Sequence, residues 1–138
     1  MITLKFGGTS MGSASWIINS ANIIINRAKT DRTSVVVSAV AGVSNLLQES
    51  ILTCCTEDRS VEYGKSLKKI HGDICKGIQK QCTDFDAKKV LNSLSPMFDE
   101  YERLLKAIVS FGECPTSIHC RIMGMGELLS APVIVAHR

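Results

Sequence analysis

The stretch KFGGTS, Lys5 to Ser10, sets a cation, two glycines and two hydroxyls directly after the apolar segment MITL. Glycines behind a strand let the backbone turn sharply and approach a ligand closely. Free backbone N–H groups at such a turn, and at a following helix N-terminus, favour an anion. Lys5 adds a full positive charge at the same mouth, and Thr9 and Ser10 add donors. A phosphate group suits this combination. The spacing is neither the P-loop, whose lysine follows its glycines, nor the G-x-G-x-x-G dinucleotide loop. From the residues alone, a tight βα turn with a snorkelling lysine is an equal alternative.

A second stretch, VSAVAGVSNLL from Val37 to Leu47, ends an apolar run with small residues. In open parallel sheets ligands gather beyond the carboxyl ends of the strands. Ser38, Ala39, Gly42 and Ser44 are therefore expected on the same side as Gly7 and Gly8. Ser44 is equally suited to cap the next helix. The third stretch is MGMGELLS, Met123 to Ser130. Each glycine inside a helix costs about 1 kcal/mol relative to alanine. Glu127 lies off the apolar stripe, with small Gly124 and Ala131 as helical neighbours. That face can pack closely while presenting one carboxylate.

The elements that must position these groups follow from periodicity. Ile2–Phe6 reads as a strand ending at Gly7-Gly8. A helix follows from about Ser13, its N-cap, with Ile17, Ile18, Ala21, Ile24, Ile25 and Ala28 on one face. Ser34–Val40 reads as a β-branched strand covered on both faces. Leu46, Leu47, Ile51 and Leu52 begin the next helix. Strand, helix, strand at this spacing is a βαβ unit with parallel strands. Three further helices are expected. One carries Tyr63, Leu67, Ile70, Ile74 and Ile78, with Lys65, Lys68, Lys69, Lys76 and Lys80 on its solvated side. The next carries Leu94, Met97, Phe98, Tyr101, Leu105 and Ile108. The last starts near Thr116, carries Ile118, Ile122, Met125 and Leu129, and should kink or end at Pro132. The tail VIVAHR is read as helix. The fold class is α/β and helix-rich after the second strand. Two strands make a poor parallel sheet by themselves, so the chain reads as the first part of a larger domain.

Composition bounds the function. Of the 138 residues, 45% are hydrophobic and 21% charged, which is globular rather than disordered. A net charge of +3 gives no footing for nucleic acid. No apolar run approaches the ~20 residues of a membrane-spanning helix, and no signal peptide opens the chain. A cytoplasmic location is the default. The six cysteines form no C-x-x-C pair, and no zinc site assembles from their spacing, so no protein metal site is expected.

KFGGTS, VSAVAGVSNLL and MGELLS occur in this order, and with them the chain resembles the N-terminal part of the aspartokinases, within the amino-acid-kinase superfamily. The resemblance runs end to end and is strongest in the three motifs. It implies a three-layer α/β/α sandwich with a mainly parallel sheet, of which residues 1–138 form the N-terminal part. It implies transfer of the γ-phosphoryl group of ATP, with Mg²⁺, to the side-chain carboxylate of L-aspartate. That reaction opens the pathway to lysine, threonine and methionine. Lys5 would stabilise the moving charge. Lys5, Phe6, Gly7, Gly8, Thr9 and Ser10 would line the phosphate side. Ser38 would lie near the reacting carboxylate, Ser44 would bind aspartate, and Glu127 would hold its ammonium group. A catalytic aspartate, an arginine for the α-carboxylate and most of the adenine pocket come later in the family. The chain alone is thus expected not to turn over, and the whole protein to be a homo-oligomer. Acetylglutamate or glutamate as acceptor, and a non-catalytic assembly module, are the rival readings.

Overall fold

The computed structural model describes residues 1–136; the side chain of Thr9 and residues 137 and 138, the end of VIVAHR, lie outside that description. The order of elements is β1 (Ile2–Phe6), a 3-10 turn (Thr9–Met11), α1 (Ala14–Ala28), β2 (Thr33–Val37), α2 (Val43–Cys54), α3 (Ser60–Gln81), α4 (Ala87–Phe111) and α5 (Thr116–Ala136). β1 and β2 pair in parallel, with Lys5 opposite Val36 and Phe6 opposite Val37. The α/β class, the parallel βαβ start and the helix-rich remainder follow the reading of the sequence.

Side chains alternate across a strand, and that parity orients the sheet. Phe6 is buried, and Ile2, Leu4 and Val37 are half-buried towards the helices. Thr3, Lys5, Ser34 and Val36 share the other face, and all four are exposed. Among the described residues, helices cover one face of the sheet. The expectation that β2 is covered on both faces does not hold: Val35 and Val36 are 37% and 49% exposed. β2 also ends earlier than expected. The Ser38 amide donates to the Phe6 carbonyl at 3.0 Å, and the chain then turns away to place Ala39 and Val40 in the core.

The helices build the core. Ser13 caps α1, its side chain accepting from the Trp16 amide at 3.3 Å. Ala28 is exposed at the far end of the α1 stripe rather than buried. α2 buries Val43, Leu47, Ser50, Ile51 and Cys54, leaving Leu52 61% exposed. α3 packs through Tyr63, Leu67, His71, Cys75 and Ile78, a seam that takes His71 and Cys75 in place of fully buried Ile70 and Ile74. α4 answers with Val90, Leu94, Phe98, Tyr101, Leu105 and Ile108. The Tyr101 hydroxyl donates to Ser50 Oγ at 2.6 Å, which ties α4 to α2 in the dry interior. All six cysteines are free thiols, and burial pushes Cys75 up to about 11.

α5 runs through the middle of the bundle. Its length and composition would let it cross a membrane, a match the sequence reading did not anticipate. In the fold it packs against α1, α2, α3, α4 and β2. Pro132 neither ends nor breaks it; the helix continues to Ala136. Proline forfeits a bond to the carbonyl four residues back. Here that carbonyl belongs to exposed Leu128, while Val133 and Ile134 just beyond are buried and hold the last turn down.

His71 makes a stability prediction. It is fully buried, Nδ1 donates to the Leu67 carbonyl at 2.9 Å, and Nε2 has no partner. The Phe98 ring lies 5.8 Å away. Burial therefore holds the imidazole below its ordinary value of 6.5. Between that lowered value and ~6.5 the unfolded chain binds more protons than the folded one, so stability falls as pH falls through this window. Urea unfolding between pH 7.5 and 5.5 is expected to show this slope, and His71→Leu to flatten it. An unchanged slope in the variant would clear His71 of the effect.

Candidate active site

The ends of both strands, the start of α2 and the middle of α5 meet at one open pocket of about 230 Å³. Gly8, Ser38, Ala39, Val40, Ala41, Gly42, Ser44, Asn45 and Glu127 line it. It lies beyond the carboxyl ends of parallel strands, where such sheets gather ligands.

One wall is the N-terminus of α2. Gly42 is the cap residue, with φ 84°, a left-handed conformation that glycine adopts without the strain of a Cβ. The expected capping role of Ser44 is not seen: Ser44 is the second residue of the helix, exposed, and its hydroxyl makes no hydrogen bond among the described residues. The Val43 amide bonds to the Val40 carbonyl and the Leu46 amide to Gly42. The amides of Ser44 and Asn45 are thus left open at the positive end of the helix dipole. Asn45, a pocket residue, was not among the sequence candidates; its place right behind Ser44 in the first turn is the signal that could have found it.

The opposite wall is α5. Glu127 is exposed on it and forms no ion pair among the described residues. The packing beneath differs from the expected small face at Gly124 and Ala131. Gly124 is exposed with open space where a Cβ would go, whereas a Cβ on Gly126 would sit 2.8 Å from the Ala39 Cβ. Gly126 is therefore the glycine that lets α5 approach the loop after β2. Ser130, one turn beyond it, donates to the Ser38 carbonyl at 2.7 Å. The Ser38 hydroxyl itself donates to the Ala39 carbonyl at 3.1 Å. A paired prediction follows. Gly124→Ala should stabilise by up to about 1 kcal/mol through helix propensity. Gly126→Ala gains the same propensity but overpacks at a cost of about 1–3 kcal/mol, so it should destabilise. Urea midpoints moving the same way for both would contradict this packing.

The phosphate-side candidates are placed less tightly together. Gly8 joins the pocket and Gly7 does not; a Cβ at either would meet nothing within 4 Å. Ser10 is half-buried, its carbonyl accepting from Ser20 Oγ at 3.2 Å. Lys5 is not in the lining of the pocket. Because Phe6 faces the core, parity sends Lys5 to the open sheet face, exposed and without a carboxylate partner among the described residues. The structure thus brings together Gly8, Ser38, Ser44 and Glu127, and sets Lys5 to one side of them. Among the described residues no three His, Cys, Asp or Glu side chains cluster as metal ligands. In charge, the pocket pairs a carboxylate with a helix N-terminus. Those two features complement a small molecule carrying both an ammonium and an acid group.

No protein-family model matches the chain. Among characterised proteins it is similar to a bifunctional aspartokinase/homoserine dehydrogenase of Buchnera aphidicola, 28% identical over 130 residues, or 94% of this chain and 16% of the relative. Chloroplastic bifunctional aspartokinase/homoserine dehydrogenases of Zea mays and Arabidopsis thaliana match over the same share of the chain, at 28% and 29% identity. The chain spans about one-sixth of the length of these relatives or less. A crystal structure of E. coli aspartokinase III in complex with aspartate and ADP (R-state) superposes with a TM-score of 0.76 at 20% identity, covering 99% of this chain and 28% of that one. Over nearly its whole length, the chain resembles a portion of the aspartokinases in sequence and in fold.

Proposed function

We propose that the chain is the N-terminal part of an amino-acid-kinase catalytic domain, and that in the complete kinase it binds L-aspartate and helps move a phosphoryl group from ATP onto its side chain. The observation that carries this reading is the single pocket lined both by Glu127 and by Ser44 and Asn45, whose amides open the α2 N-terminus. The aspartate ammonium would pair with Glu127, and an aspartate carboxylate would sit at the α2 N-terminus. Ser44 would add its free hydroxyl. Ser38 would turn its hydroxyl from the Ala39 carbonyl towards the reacting oxygen.

In the transfer, a side-chain carboxylate oxygen forms a bond to the γ-phosphorus as the bond from phosphorus to the β,γ-bridging oxygen breaks. ADP departs with that electron pair. A carboxylate nucleophile needs no base, so what the site must supply is position and charge. Lys5 and the backbone of Phe6, Gly7, Gly8, Thr9 and Ser10 would meet the phosphates. Open space around both glycines, and a lysine beside them with no carboxylate partner among the described residues, fit such a group. Mg²⁺ would ride on the nucleotide oxygens, as this ion commonly does, and neutralise phosphate charge.

The test uses the complete kinase with ATP and Mg²⁺, trapping the acyl phosphate as its hydroxamate. Product is expected with L-aspartate and not with L-glutamate or acetylglutamate. Trapping with another acceptor alone would reassign the substrate. The outer edge of β2, unpaired among the described residues in this two-stranded sheet, favours a second reading, an assembly module that pairs through that edge. Sedimentation that stays monomeric at every concentration would remove it.

A further inference from the structure

We infer that Ser130 is a positioning residue that sets the width of the pocket between Glu127 and the loop after β2. This inference rests on the amino-acid reading of the pocket for its functional consequence. Its structural part stands on hydrogen bonds alone.

A serine inside a helix usually donates back to its own helix, three or four residues earlier. Ser130 has that option in the Glu127 carbonyl, but at 3.3 Å it is the longer contact. The shorter one, 2.7 Å, crosses 92 residues of sequence to the Ser38 carbonyl. A hydroxyl has one proton to give, and the short contact takes it. Ser130 is wholly buried, so water does not compete for the bond. The Ser38 peptide carries the connection onward, its N–H donating to the Phe6 carbonyl at 3.0 Å. Phe6 is the last residue of β1, directly before Gly7-Gly8. One chain of hydrogen bonds therefore runs from the glycine turn, through Ser38, to the turn of α5 that carries Glu127.

Next to it, Gly126 meets Ala39 so closely that a Cβ would sit 2.8 Å away. The glycine permits close approach but has no direction. The Ser130 bond supplies the direction: it fixes where along α5 the loop sits, and so how far Glu127 stands from Ser44 and Asn45. Without the hydroxyl, the loop keeps an apolar contact and loses its register.

The experiment is residue-resolved amide hydrogen exchange on the 138-residue chain, combined with an NMR titration of L-aspartate. In Ser130→Ala the Ser38 and Val43 amides are expected to exchange at least ~10-fold faster relative to core amides such as Leu105, the scale of one lost hydrogen bond. The apparent Kd for L-aspartate should rise at least ~5-fold on the same scale. Ser50→Ala, which removes a buried hydroxyl bonded to Tyr101, is the control: it should lower global stability and leave that ratio alone. If Ser130→Ala does not fold, Ser130→Cys, a weak donor of similar size, makes the same comparison. An unchanged exchange ratio in the Ser130 variant would overturn the inference. Faster exchange with no aspartate binding to the wild-type chain would uphold the positioning role and overturn the amino-acid reading.

Discussion

Lys5→Ala is expected to lower kcat of the complete kinase by at least ~10²-fold, the scale of removing one charge-stabilising donor from a transition state. The same variant should fold as the parent does. Lys5 is exposed, forms no ion pair among the described residues and supports no core contact. A surface change of this kind stays within ~0.5 kcal/mol of stability. KM for aspartate should move little, because Lys5 stands apart from the pocket that holds Glu127. This split between rate, binding and stability is what makes the result informative. Steady-state kinetics beside a urea curve measure all three. A kcat equal to the parent's would take Lys5 out of the mechanism and leave KFGGTS as a tight turn.

The second large effect is at Glu127. Glu127→Gln keeps the size of the side chain and removes its charge. A charge-assisted hydrogen bond is worth about 1.5–3 kcal/mol, and each ~1.4 kcal/mol is tenfold. KM for aspartate should therefore rise roughly 10- to 100-fold, with KM for ATP close to unchanged. Stability should hold, since Glu127 is exposed and unpaired among the described residues. A rise confined to KM for ATP would move Glu127 to the nucleotide side.

The sequence made the helices legible and the site partly so. Tyr63, Leu67 and Ile78, or Leu94, Phe98, Tyr101, Leu105 and Ile108, recur at helical spacing because burial on one face demands it, and the structure buries them. His71 and Cys75 were hidden inside the same stripe, since a polar type does not announce a core position. The end of β2 was misread for a physical reason. VVVSAV is apolar and small throughout, so composition carries no mark of the point where the Ser38 amide closes the ladder on Phe6. The role of Ser44 stays open in the sequence, because Gly42 and Ser44 both favour helix starts; the structure begins α2 at Val43, behind Gly42 at φ 84°. Gly124 and Gly126 are two residues apart, about 200° around a helix. A sequence cannot tell which of them faces a neighbour until the neighbour, Ala39, is in place. Lys5 was expected at the pocket, and strand parity set it on the other face once Phe6 was buried.

On the proposed reading, the pocket of Gly8, Ser38, Ser44 and Glu127 is the amino-acid half, while Lys5 stands on the open sheet face. The amino-acid half can be examined in the chain by itself. The measurement is an NMR titration of the 138-residue chain with L-aspartate, and with succinate, which carries the two carboxylates and lacks the ammonium. The account predicts that L-aspartate shifts the amides of Ser44, Asn45 and Glu127 in a saturable way, and that succinate binds more weakly by a clear margin. Equal responses to the two acids, or no response at these residues to either, would contradict it.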